Sequence, residues 1–107
     1  MAFEVSTETF EKEVVQSELP VLVDFWGPQC GPCLVLWPQV EGLADKYASK
    51  LKVSKIDASK NRRLCLNLRV MGLPTFLIYK DGKEVDRLTG QNLKIVDIEA
   101  AVKKIMG

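Results

Sequence analysis

A chain of 107 residues in which 47% are hydrophobic has material for one core and not two, so a single domain over residues 1–107 is expected. Its 15 Lys and Arg against 14 Asp and Glu leave a net charge of +1 with the signs interspersed, which points away from nucleic acid as a partner. There are three cysteines and no histidine. No apolar run is long enough to span a bilayer, and the first residues lack a basic-then-apolar leader, so a cytoplasmic protein is expected, without a membrane partner.

Phe3 to Val5 reads as a short edge strand, after which Ser6 or Thr7 caps a helix whose apolar positions include Phe10 and Val14. Pro20 marks the start of the next strand, Val21 to Trp26. That strand is apolar on both faces except at Asp24, the pattern of a central strand covered by helices on each side. A helix beginning near Cys30 carries Leu36, Val40, Leu43 and Tyr47 at helical spacing, and Pro38 inside it removes one ladder bond and predicts a kink. Leu51 to Asp57 is a second inner strand. It is followed by a short helix from Ser59 to Leu68 with Leu64, Cys65 and Leu68 facing inward. Thr75 to Lys80 and Glu84 to Thr89 form a hairpin about Asp81-Gly82, and a last helix runs from Asn92 to Met106 with Ile95, Ile98, Val102 and Ile105 as its stripe. This order predicts an α/β fold with a central mixed sheet of about five strands flanked by four helices.

Cys30-Gly31-Pro32-Cys33 directly follows the central strand and opens a helix. Residues three apart lie on one helix face, so the two sulfurs come within bonding reach with little backbone movement. Free N–H groups and the positive end of the dipole favour an anion there and lower a thiol's pKa, with Cys30 gaining most. Two other readings stand beside reversible disulfide chemistry. A zinc site requires about four ligands, which three cysteines and no histidine do not supply, so no metal is expected. A permanent structural disulfide would close a very short loop and constrain the unfolded chain little. Asp24 shares its strand face with Leu22 and Trp26, so burial is expected to raise its pKa into the range where it accepts and returns a proton near neutrality.

Val21-Leu22-Val23-Asp24-Phe25-Trp26, Cys30-Gly31-Pro32-Cys33, Pro38, Lys55-Ile56-Asp57, Gly72-Leu73-Pro74-Thr75, Lys80-Asp81-Gly82 and Gly90, in this order and spacing, resemble the thioredoxin family over essentially the whole chain. The resemblance implies a thioredoxin fold and a protein-disulfide reductase. Such a thiol-disulfide oxidoreductase carries electrons to disulfide-containing proteins through its Cys30-Cys33 pair, is re-reduced by a thioredoxin reductase, and uses no cofactor beyond its own cysteines. A monomer is the default expectation. Two positions depart from the family pattern: Gln29 stands where most members have Trp, and Leu34 where a Lys or Arg usually follows the second cysteine. Loss of that cation predicts a less stabilised thiolate at Cys30.

Cys30, nearer the helix start and expected to be more exposed, is the candidate attacking thiolate, with Cys33 resolving the mixed disulfide and Asp24 exchanging its proton. Lys55 shares a strand face with Leu51 and Val53, from which it either reaches Asp24 and tunes it or extends to solvent; the resemblance favours the pairing. Leu73-Pro74 resembles the family's cis-proline loop, which implies that Pro74 and the Leu73 backbone receive an extended substrate segment as an added strand. Trp26, Gly31, Pro32 and Gly90 complete the candidate substrate-binding set, and Gly27, Pro28, Met71 and Gly72 extend an apolar docking surface around it. Each of the glycines has a turn explanation, and Trp26 a core one. Cys65 reads as inert core, with a regulatory thiol as the alternative.

Two rival functions fit the same residues. One keeps the fold but reverses the direction of electron flow, giving a disulfide oxidant or isomerase. The other is a non-catalytic module that docks on one partner through Gln29 and the run Leu34-Val35-Leu36-Trp37.

Overall fold

The computed structural model describes all 107 residues. Five strands, β1 (Phe3–Glu4), β2 (Val21–Trp26), β3 (Lys52–Asp57), β4 (Thr75–Lys80) and β5 (Lys83–Thr89), form one sheet in the order β1-β3-β2-β4-β5. β1 and β2 both run parallel to β3, whereas β4 is antiparallel to β2 and to β5. The mixed sheet follows from the connections. The crossovers that lead into β2 and β3 return the chain in the same direction, whereas the long connection over 58–74 delivers β4 antiparallel to them, and the two-residue turn at Asp81-Gly82, both with positive φ, reverses the chain again into β5.

β2 is central because it is apolar on both sides. Val21, Val23 and Phe25 enter one core with Phe10, Val14, Leu64 and Leu77, while Leu22 enters a second with Leu36, Val40, Phe76 and Ile98. Period-two alternation therefore sends one residue set to each layer. The second layer is covered by α1 (Gly31–Lys46) and α3 (Ile95–Met106), and the first by α2 (Arg62–Asn67) and a π-helical turn, Glu11–Val15. Each large side chain fully buried here, such as Phe25 or Phe76, contributes about 1.5–3 kcal/mol of transfer free energy.

Three elements differ from the sequence expectation. The first helix is reduced to the π turn, and no side chain caps it. Ser6 N–H instead donates to Thr9 Oγ1, and Thr7 N–H and Oγ1 both donate to Asn61 Oδ1. The helix expected over 59–68 is divided into a 3₁₀ turn (Ala58–Lys60) and α2, because Asp57 Oδ1 accepts from Ser59 N–H and the buried Asn61 donates to Asp57 O; Leu68 ends half-buried beyond it. α3 starts at Ile95 rather than Asn92, where Lys94 N–H donates to Asp97 Oδ2. α1 runs on through Pro38 as one helix.

Candidate active site

The two thiols sit where β2 gives way to α1. Cys30 is the N-cap residue, with extended backbone, and its Sγ accepts from Cys33 N–H at 3.2 Å. Pro32 fits the first turn of α1, where its missing N–H costs nothing. The two cysteines are joined as a disulfide with their Cα atoms 5.3 Å apart, inside the range that a bridge spans. Cys33, on the inner face of α1, is only 2% exposed, whereas Cys30 is half-buried. The pair is therefore asymmetric: one sulfur faces outward and the other lies beneath it.

Asp24 lies on the sheet face that α1 covers, between Leu22 and Trp26 on β2. It is 1% exposed, and its Oδ1 is buried without a hydrogen-bond partner. That burial pushes the carboxyl up to about 7, with the charge of Lys55 pulling in the opposite direction. Asp24 and Lys55 are register partners across β2 and β3, but the lysine does not ion-pair with it. Its Nζ instead lies 4.3 Å from the Trp37 ring centroid and 5.8 Å from that of Trp26, with Glu4 Oε1 of β1 at 3.9 Å. Lys55 thus acts on Asp24 through its charge without an ion pair, and its side chain, drawn toward the two aromatic rings, stays partly exposed. Trp26, Cys33, Leu34, Trp37 and Lys55 together line a cavity of about 170 Å³ behind the buried sulfur.

On the other side of the disulfide, Leu73 joins Gly27, Pro28, Gln29, Cys30, Ala58 and Ser59 around an open cleft of about 440 Å³. A Cβ on Gly27 would come 3.2 Å from Leu73 Cδ1, so that glycine allows the loop to approach β2 closely. The Leu73-Pro74 peptide bond is cis. The loop is tied down from both ends: Thr75 Oγ1 donates to Gly72 O at 2.6 Å, and Gly90 N–H donates to Pro74 O at 3.2 Å. Gly90 has a φ of +127°, a conformation that side-chain-bearing residues rarely adopt. The expected substrate-binding residues thus fall in three places. Trp26 is behind the sulfurs, Gly31 and Pro32 are at the helix start, and Leu73, Pro74 and Gly90 form one linked loop. Met71, expected on this surface, lines a separate groove with Leu66 and Cys65 that meets the Cys30 cleft at Leu73.

Trp37 was not singled out as a partner of Lys55 by the sequence reading. It is four residues after Cys33, so both share a face of α1, and that spacing is the signal that would have found it.

A family model described as Thioredoxin matches residues 1–104. The chain belongs to the thioredoxin family. It is 43% identical over 102 residues to the Thioredoxin of Acetoanaerobium sticklandii, spanning 95% of this chain and 97% of that one. With the Thioredoxin of Peptoclostridium acidaminophilum it shares 38% over 104 residues, 97% and 94% of the two chains, and with Thioredoxin 1 of a Nostoc species 40% over 89 residues, 83% of each. Together with the Cys30-Cys33 pair at bridging distance, these matches make it a thiol-disulfide oxidoreductase, a protein-disulfide reductase of the thioredoxin type. No cluster of three or more His, Cys, Asp or Glu that could hold a metal is present, and no helix is long and apolar enough to cross a membrane.

Proposed function

We propose that reduction of a target disulfide proceeds through Cys30 as nucleophile, Cys33 as resolving thiol and Asp24 as proton acceptor. The observation that carries this reading is the unequal exposure of the two sulfurs at the helix start. In the dithiol state the Cys30 thiolate attacks one sulfur of the target, the target S–S bond breaks, and a mixed disulfide forms as the other target sulfur leaves as a thiolate. Cys33 then loses its proton and attacks Cys30 Sγ. The second target thiolate leaves, and the chain closes as the Cys30-Cys33 disulfide. Two electrons have passed to the target, which takes up two protons.

Each residue has a physical reason for its part. Cys33 N–H, which donates to Cys30 Sγ, favours negative charge on that sulfur once the bond opens. Cys33 is enclosed, so its proton needs a nearby base. Asp24, at about 7, is matched to accept it and give it back near neutral pH. Lys55, held over Trp37, moderates Asp24 through its charge rather than by contact. Leu73 and Pro74 receive an extended target segment, Gly90 fixes their loop through Pro74 O, and Trp26, Gly31 and Pro32 complete the docking rim.

On this reading the 107 residues act as one monomeric domain in the cytoplasm. A thioredoxin reductase returns two electrons and two protons to the disulfide, and no further cofactor takes part. A Cys33→Ser variant tests the assignment. Incubated with a disulfide-containing protein, it should accumulate a mixed disulfide on Cys30, located by mass spectrometry of the trapped adduct. Adducts on another cysteine, or none, would refute it.

A further inference from the structure

The charges of this chain balance overall, but the fold does not spread them evenly. From Ala58 to Lys80 there are five cations, Lys60, Arg62, Arg63, Arg69 and Lys80, and no carboxylate. The first four are exposed and none joins an ion pair, whereas Lys52, Lys55 and Arg87 each have a carboxylate beside them. Arg62 and Leu66, four apart, share a face of α2. Arg62 lines a groove of about 300 Å³ whose apolar wall includes Leu66, Met71 and Leu73. Leu66 is 68% and Met71 82% exposed, so this wall leaves apolar area in water. The groove shares Ala58 and Leu73 with the cleft that holds Cys30, so the two adjoin. The charged side chains lining the cavity behind Cys33, the Cys30 cleft, this groove and the cleft beside Pro32 are Lys55, Arg62 and Lys94; no carboxylate lines any of the four.

We infer that the protein substrates this chain serves best carry, in the extended segment beside the target disulfide, an apolar side chain that enters the Leu66–Met71 groove and carboxylates that face Arg62 and Arg63. This rests on the reductase reading above and names its substrate class. The exchange chemistry is unchanged: the dithiol gives two electrons, the target disulfide becomes two thiols, and the chain is left as its disulfide. Docking is what changes. A cationic rim without opposing carboxylates raises the local concentration of an acidic segment and speeds encounter by about tenfold or more, an effect that salt screens. Intrinsic reactivity runs the other way, because carboxylates beside a disulfide repel an incoming thiolate. A preference for acidic targets therefore has to come from the protein surface.

The test is single-turnover reduction, by the pre-reduced protein, of three synthetic disulfide-linked peptides. They are identical except that two residues flanking a Cys-Leu pair are Glu, Gln or Lys. Rates are divided by those of dithiothreitol with the same peptides. The expected order is Glu, then Gln, then Lys, with a ratio of about tenfold or more between the ends at low ionic strength that collapses toward one in high salt. An Arg62→Glu, Arg63→Glu double variant should reverse the order, and because the readout is a ratio within one protein it is independent of how much of the variant is active. Exchanging the peptide Leu for Ser should slow all three. Equal rates for the three peptides, or an order unchanged in the double variant, would overturn the substrate preference while leaving the reductase reading intact. Failure to reduce any of them faster than dithiothreitol would overturn both.

Discussion

Lys55 and Asp24 face each other across neighbouring strands, yet the ammonium lies 4.3 Å from the Trp37 ring centroid and leaves the carboxylate without a hydrogen-bonded or ion-paired partner. The aromatic face takes the cation, at a gain of about 0.5–2 kcal/mol depending on desolvation. Asp24 feels that charge without pairing with it. Lys55→Met should therefore move the Asp24 carboxyl further above about 7, since the one opposing charge is removed. Carbon NMR titration of the side chain would read the shift directly. The pH dependence of mixed-disulfide resolution should move to the alkaline side with it; an unmoved titration would mean that Lys55 has no influence on Asp24.

Asp24 itself links stability to pH. In the folded disulfide form its carboxyl is raised from 3.8 to about 7, so the native state binds this proton more tightly than the unfolded chain does. The resulting stabilisation is fully present below the unfolded value and is lost as pH rises through the folded one, amounting to about 4 kcal/mol across the window. Asp24→Asn should flatten that decline and make the oxidised protein more stable than the parent at alkaline pH, as measured by guanidinium unfolding. It should also slow resolution by Cys33 by about tenfold or more at neutral pH, because the general base is gone. A variant as pH-sensitive as the parent over this range would show that another group carries the effect.

Gly90 offers a purely conformational test of the loop that bears Pro74. Nothing lies within 4 Å of the position a Cβ would take, so Gly90→Ala introduces no clash and acts only through φ, which is +127°. The cost should be about 1–3 kcal/mol of stability. If the backbone relaxes instead, the bond from Gly90 N–H to Pro74 O is the one that gives way. KM for a disulfide peptide should then rise with kcat largely kept. Loss of kcat alone would argue that Gly90 acts on the sulfurs rather than on docking.

Cys65 is a free thiol, 8% exposed, and burial raises its pKa. Low thiolate fraction and poor access should together make native-state alkylation by iodoacetamide at least about a hundredfold slower than at Cys30 of the reduced protein. Rapid, stoichiometric labelling of Cys65 would restore the regulatory reading that its place in an apolar stripe argues against.

Much of this architecture can be read from the chain because its strongest signals are local. Val21 to Trp26 is apolar on both faces and could only be central, the Cys30 to Cys33 spacing sets both sulfurs at a helix start, and Leu22 and Trp26 place Asp24 on a buried face. What escaped the sequence depends on partners far along the chain. Thr7 has the chemistry of a helix cap, but Asn61, 54 residues later, takes its N–H, and the expected helix shrinks to a π turn. Lys55 could not be placed because its aromatic partner comes from α1. The basic rim was hidden by an overall charge of +1, since the carboxylates that balance it lie outside residues 58–80 of the chain.

The burial of Cys33 also sets how the protein can take part in a chain of reactions. With Cys33 2% exposed and Cys30 only half-buried, an electron donor and an electron acceptor can meet the chain only at Cys30. They cannot both be bound there. Turnover with a reductase and a protein disulfide should consequently follow ping-pong kinetics, with parallel double-reciprocal lines and mutual competitive inhibition at high concentration. The molecule is a two-electron shuttle with one berth, and its flux depends on how quickly each visitor departs.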